Sequence, residues 1–273
     1  VTGKGKYQGV LAINDLITNP ENTLVKDLIR KKPAIQALLD HKEVAHLFEK
    51  NDLISLVVVD ENNFILGRIT IDDVVDTIRE EADKTQMAVA GLNDEDDLFA
   101  SPLKSTKRRS FWLGINLLTA IFASIIIGIF EASIQQIVAL AVLMPIVASM
   151  GGIAGTQTAT IVIRALATGK LGYHNSRHLF FKEAGVGLLN GTLWSLVTGF
   201  TAAWWFDNYT LGMIFGAAML INLTIAALAG ALIPLFLNKI KIDPALASGL
   251  MLTTVTDSIG FFVFLGLATV ILL

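Results

Sequence analysis

One carboxylate, Asp257, lies inside the otherwise uncharged hydrophobic run that ends at Leu273. An ionised side chain persists in hydrocarbon only beside water or a partner, so an acid at that depth marks a functional site. The stretch around it, PALASGLMLTTVTDSIG, is small and hydroxylated. At helical spacing Gly249, Thr253, Asp257 and Gly260 share one face, a stripe suited to a cation. A second run reads MPIVASMGGIAGTQTATIVIRALATG. Pro145 and the cluster Gly151, Gly152 and Gly155 weaken a helix there and free backbone carbonyls. Irregular backbone is tolerated at membrane depth only where it is buried in protein or lines a wet cavity. Thr156, Gln157, Thr158 and Thr160 add polar groups. Close helix packing through small residues is the competing explanation for part of the glycine cluster. The candidate lining of a polar path is therefore Gly151, Gly152, Gly155 and Thr156 from one run and Gly249, Thr253 and Thr254 from the other. Asn116, Asn190 and Asn222 read as hydrogen-bonding residues between helices.

A different set of acids crowds residues 72–97: Asp72, Asp73, Asp76, Glu80, Glu81, Asp83, then Asp94, Glu95, Asp96 and Asp97. Only Arg79 and Lys84 answer them. Such a run is either a solvated surface or a low-affinity divalent sensor, because Mg²⁺ takes hard oxygen ligands and bridges acids that otherwise repel.

The elements that must hold these residues follow from composition and periodicity. With 53% hydrophobic residues and a mean hydropathy of +0.61, the chain of 273 residues is too apolar to be wholly soluble. The absence of cysteine excludes disulfides and thiolate metal sites, leaving oxygen ligands or the four His. The opening residues, VTGKGKYQGV, read as the middle of something, so a C-terminal part of a longer protein is expected. Residues 7–17 predict a short strand feeding a helix that ends near Asn19-Pro20. An amphipathic helix over 41–50, strands over 53–59 and 64–69 around an acidic turn, and a helix over 70–81 come next. A further helical stretch over 80–90 and a polar link lead to the basic cluster Lys104, Lys107, Arg108 and Arg109.

Five apolar runs are long enough to cross about 30 Å of hydrocarbon: residues 110–130, 137–163, 184–205, 211–237 and 245–273. Lys and Arg flank the first run and fill the second-to-third and fourth-to-fifth connections, whereas the other two connections carry none. By that asymmetry the N-terminal domain is cytoplasmic and the C-terminus outside a cell (inner) membrane, with Trp204, Trp205 and Tyr209 in an outer belt. A path with one acid per chain is most simply built on a two-fold axis, so a homodimer in the lipid bilayer is expected.

The order helix, VVVD-turn-strand, GRITIDD, helix resembles a cystathionine-β-synthase (CBS) domain. In such domains a Thr-x-x-Asp pair, here Thr70 and Asp73, holds the ribose of an adenine nucleotide such as ATP; the competing reading has Thr70 and Asp72 cap a helix. The CBS unit, the acidic connecting helix, five spans, and the two motifs MPIVASMGGIAGTQTATIVIRALATG and DPALASGLMLTTVTDSIG together resemble the MgtE family of magnesium channels. The fold class implied is a multi-domain membrane protein: a five-span α-helical polytopic domain over 110–273, preceded by a small α/β cytoplasmic domain. The latter divides into part of a first CBS motif over 1–32 and a second over 33–82, with an acidic connecting helix and linker over 83–109.

The resemblance implies a homodimeric Mg²⁺-permeable channel. Asp257 would hold hydrated Mg²⁺ in the pore, and Mg²⁺ bound among Asp73, Asp76 and Glu81 would close it. Three departures from the family pattern stand out. Ile153 stands where the family has Asn, replacing a pore-side amide with an alkyl group. Leu250 replaces a proline. Lys84 and Thr85 replace two acids, which lowers like-charge repulsion and predicts weaker or differently tuned gating. A coupled secondary transporter of divalent cations (Mg²⁺, Co²⁺, Ni²⁺, Mn²⁺) is the alternative, with no clear inverted repeat to support it. A membrane anchor for a CBS sensor is a third reading. No catalytic constellation suggests an enzyme. His174 and His178 read as interfacial residues near a helix start, and Glu183 as paired with Lys182, Arg177 or a neighbouring span.

Overall fold

The computed structural model describes residues 5–89, 92, 99, 101–169, 171 and 175–273, save the side chains of Lys42 and Arg108. The chain divides into two compact units, Val1–Asp83 and Lys84–Leu273.

In the first unit, α1 (Ile13–Thr18) and α2 (Val25–Leu28) precede a three-stranded sheet, β1 (Ala34–Gln36), β2 (Ser55–Val59) and β3 (Ile65–Thr70). β1 runs parallel to β2, with Ala34 opposite Val57, and α3 (His41–Asn51) connects them. β2 and β3 are antiparallel, with Leu56 opposite Ile69. Their turn is set by Asp60, whose Oδ1 accepts from the amides of Asn62 (2.9 Å) and Phe64 (2.7 Å). Asn63 takes the left-handed conformation such a turn needs, at φ +67°. Ile35, Val44, Phe48, Leu56 and Val74 form the core between sheet and helices. The expected strand within residues 7–17 does not extend into one: Val10 makes an isolated bridge to Arg30 and Lys6 one to Phe64. The chain turns into α1 after Ala12, and a two-pronged Arg30–Asp15 ion pair (2.7 and 2.8 Å) ties that helix down. The separate helices expected over 70–81 and 80–90 are one, α4 (Ile71–Val89), because no Gly or Pro interrupts it.

The second unit is helical: α5 (Pro102–Ile129), the short α6 (Glu131–Gln136), α7 (Val138–Ala167), α8 (Ser176–Trp205), α9 (Tyr209–Lys239) and α10 (Pro244–Leu272). Each of the five expected spans is a helix here. α5, α7, α9 and α10 are each long and apolar enough to cross a membrane. α8, with 30 residues, is equally long but more polar. Its hydroxyls are absorbed by its own backbone: Thr192, Thr198 and Thr201 donate to the carbonyls of Leu188, Trp194 and Val197 at 2.7–2.8 Å.

α9 is apolar nearly all round and sits among α7, α8 and α10, which is why it is the most buried helix. Glycines let α8 and α9 touch backbone to backbone. A Cβ at Gly212 would stand 2.6 Å from the Gly199 carbonyl, and one at Gly216 would stand 2.9 Å from that of Ser195. α5 packs chiefly on α10 and leaves Phe111, Leu118, Ile125 and Ile129 exposed. The main core gathers Leu140, Leu143, Val147, Phe215, Met219, Leu223, Phe264 and Leu265. A smaller one joins Ala88 to Ala159, Ile163, Ala229, Ala245 and Leu252.

Candidate functional site

α10 starts cleanly because Asp243 caps it, its Oδ1 accepting from the Ala245 amide at 2.9 Å, with Pro244 at the first helical position. Along one face of the helix the surroundings then change. A Cβ at Gly249 would meet nothing within 4 Å, Thr253 is exposed, and Asp257 is half-buried. One turn later Gly260 is buried, and a Cβ there would lie 2.9 Å from both Asn222 Nδ2 and Val147 Cγ1. Asp257 thus stands where an open stripe ends against packed side chains. Among the described residues no Lys, Arg or His pairs with it. Thr253 and Thr254 donate to the carbonyls of Gly249 (2.9 Å) and Leu250 (2.8 Å), so their oxygens keep lone pairs for a ligand.

α7 is continuous from Val138 to Ala167 through both Pro145 and the glycines, so the expected irregular backbone is not present. Packing explains it. The buried side of α7 runs Leu140, Leu143, Val147, Gly151, Gly155, Thr158 and Val162, and it is clamped against α9 and α10. A Cβ at Gly151 would stand 2.5 Å from Asn222 Nδ2, and one at Gly155 would stand 2.7 Å from Leu252 Cδ1. The other side exposes Ile153 (55%), Thr156, Gln157 and Thr160, with Gly152 open between them. The candidate lining residues therefore divide. Gly152, Thr156, Gly249 and Thr253 face open space, Thr254 is half-buried, and Gly151 and Gly155 face the interior.

Of the three asparagines expected to join helices, Asn222 does so. Fully buried on α9, it donates from Nδ2 to the Val147 carbonyl of α7 at 2.9 Å. Asn116 and Asn190 are exposed and make no side-chain hydrogen bond among the described residues. Their helices turn them outward, and that rotation is set by packing rather than by local sequence. Glu183 is 2% exposed, accepts from Thr158 Oγ1 (3.1 Å) and pairs with Lys182 (2.8 Å), linking α8 to α7. His178 is exposed in the first turn of α8; His174 lies outside the described residues.

The acids of α4 are arranged differently. Asp73 Oδ2 accepts from the amide (3.0 Å) and the hydroxyl (2.9 Å) of Thr70, so the Thr-x-x-Asp pair closes on itself as a helix cap. It is Asp73, rather than Asp72, that answers Thr70 in this geometry. The neighbouring Thr70 hydroxyl and nearby backbone amides nonetheless hold the Asp72 carboxyl below the usual aspartate range. Asp76 is exposed, and Glu81 Oε1 lies 3.2 Å from His41 Nε2. Among the described residues no three His, Asp or Glu converge as a metal site. Asp94, Glu95, Asp96 and Asp97 lie outside the described residues.

Taken together, a small CBS-type α/β module and a bundle of long apolar helices, with a polar stripe around one acid, have the architecture of a multi-span membrane protein. Comparison with known proteins narrows this. Residues 144–267 match the MgtE family profile, described as divalent cation transporter, and residues 25–80 match the CBS domain. Three curated proteins named magnesium transporter MgtE are similar over nearly the whole chain. Those of Bacillus subtilis (strain 168) and Thermus thermophilus are 33% and 34% identical over 96% and 100% of it, and that of Enterococcus faecalis 31% over 96%. The chain thus carries an MgtE-type domain together with a CBS domain. It spans 58–61% of the length of these relatives.

Proposed function

We propose that the chain forms a Mg²⁺-permeable channel, with Asp257 as the pore carboxylate. The observation that carries this reading is a half-buried acid without a basic partner among the described residues, set at the closed end of an open stripe of glycine and threonine. Such an acid attracts a cation that keeps its water shell, and the Thr253 and Gly249 positions leave room for that shell. Relatives named magnesium transporters support Mg²⁺ as the ion. Two inward charges at a negative-inside potential gain about 4.6 kcal/mol per 100 mV, so entry needs no coupling ion.

In this reading the open sides of α7 and α10 carry Gly152, Ile153, Thr156, Gly249 and Thr253 and meet those of a second copy about a two-fold axis, since a polar stripe left facing acyl chains would be costly. The basic flanks support a cytoplasmic N-terminal domain. Cytoplasmic Mg²⁺ neutralising the α4 acids, Asp73, Asp76 and Glu81 among them, closes the path. Since these acids do not converge within one chain, the ion bridges them to carboxylates of other elements. ATP at Thr70 and Asp73 would first have to open their mutual hydrogen bonds.

The test is Mg²⁺ uptake into liposomes holding the purified chain. Asp257→Ala is expected to reduce uptake to the level of empty liposomes, and uptake unchanged from wild type would sink the pore assignment. Uptake that dissipates a pH or Na⁺ gradient in fixed ratio would instead favour the coupled transporter.

A further inference from the structure

Asn222 is the one polar side chain of α9 that is wholly removed from solvent. Its helix neighbours Ala218, Met219, Leu223 and Ala226 are buried with it, and a leucine of similar shape would carry no polar group to satisfy there. Its amide is used on one side only. Nδ2 donates to the Val147 carbonyl, while Oδ1 is buried without a hydrogen-bond partner among the described residues. A group that leaves an acceptor unsatisfied in the middle of a membrane domain is poorly chosen for stability, and such groups call for another explanation.

The contacts of that amide supply one. Val147 lies two residues after Pro145, whose missing N–H frees the carbonyl of Ala141 and softens α7 at this level. The Asn222 donor braces the helix just beyond the soft point. The same amide fills the space over Gly151, beside the open Gly152, and over Gly260, one turn past Asp257. Any larger residue at either glycine would collide with it: the Cβ distances to Nδ2 are 2.5 and 2.9 Å. One buried side chain of a helix that does not line the open stripe therefore touches, from behind, both helices that do.

We propose that Asn222 is a positioning residue that fixes the rotation of α7 and α10 relative to each other, so that Gly152 and Thr156 are presented to the same path as Gly249, Thr253 and Asp257. The inference rests on the channel reading for its consequence in ion flux, but its structural content stands apart from flux. The unpartnered Oδ1 is then the cost of keeping a donor where α7 needs it.

The experiment uses the whole chain in liposomes. Because the chain has no cysteine, Gly152→Cys and Gly249→Cys each give a single site for a membrane-impermeant thiol reagent. Asn222→Leu keeps the shape and removes the donor. It is expected to leave the thermal midpoint unchanged or raised, to alter the labelling rate at both cysteines severalfold, and to change the Mg²⁺ to Mn²⁺ flux ratio by about tenfold, the scale of a mutation that uncouples packed elements. Gly151→Ala displaces the same amide and should shift labelling and flux ratio in the same direction. Labelling rates and flux ratio both at wild-type values in Asn222→Leu would overturn the proposal. So would a flux loss that merely tracks a lowered midpoint, since that is the result of a packing residue. Asp257→Ala measured alongside separates the two levels. If flux survives there while Asn222→Leu still changes labelling, the channel reading fails and the positioning role stands.

Discussion

The second unit has one carboxylate on its open stripe and the first has a row of them, and the two settings use charge in opposite ways. Asp257 stands on a helix whose other 28 residues are uncharged, half-buried and without a basic partner among the described residues. Asp72, Asp73, Asp76, Glu80 and Asp83 stand on a largely exposed helix in which one acid closes a cap and others meet solvent. In low dielectric a single charge sets the local potential, whereas in water each of several is screened and only their sum matters. Changing one residue should therefore be decisive in the first setting and graded in the second.

The largest expected effect is that of Asp257→Ala on Mg²⁺ uptake, described above, and a partial loss there would narrow the contrast. Next comes packing in the same unit. Gly212→Ala drives a Cβ into the Gly199 carbonyl and is expected to cost about 1–3 kcal/mol, read from thermal unfolding in detergent, while Gly152→Ala meets open space and should be within about 0.5 kcal/mol of wild type. Glu183→Ala removes the partner of Lys182 and of Thr158. Because Lys182 is 52% exposed and keeps water, the expected loss is about 1–2 kcal/mol rather than the full penalty of a buried pair. In the first unit Thr70→Ala removes a cap and should cost about 1 kcal/mol, measured by denaturant unfolding of the CBS-type unit's signal.

The smallest effect is on pH. The Asp72 carboxyl is held below its ordinary value chiefly by the nearby Thr70 hydroxyl. A lowered acid stabilises the fold above the unfolded value and loses that contribution as pH falls below 3.8 and on through the lowered value. Asp72→Asn should flatten that acid limb of the stability curve slightly and leave the neutral region unchanged.

Much of this arrangement can be read from residue order, and the remainder has a common reason for being hidden. The five long helices of the second unit appear as apolar runs, and β2, β3 and α3 as alternating and amphipathic ones, because burial acts along the whole of those segments. Asp257 stands out because a lone charge within an apolar run has few explanations. Gly151 and Gly152, neighbours in sequence, have opposite fates, and so do Asn222 and Asn190. Successive helical residues differ by 100° in direction, so which of them faces the interior depends on how α7 and α9 are rotated, and distant contacts fix that rotation. The bridge between Val10 and Arg30 was illegible for a similar reason: one pair of residues without neighbours leaves no periodic signal. The continuity of α7 through its glycines is tertiary packing overriding helix propensity.

The glycine seam between α8 and α9 limits how this domain can deform. Two helices whose main chains interlock without intervening side chains have no slack in which to slide, so they should travel as a single strut. α5, by contrast, leans mainly on α10, and would be carried along by it. Any rearrangement of the bundle is then expected to move the α5–α10 pair against α8 and α9, with α7 held to α9 in the same way where Gly230 meets the Gly155 carbonyl.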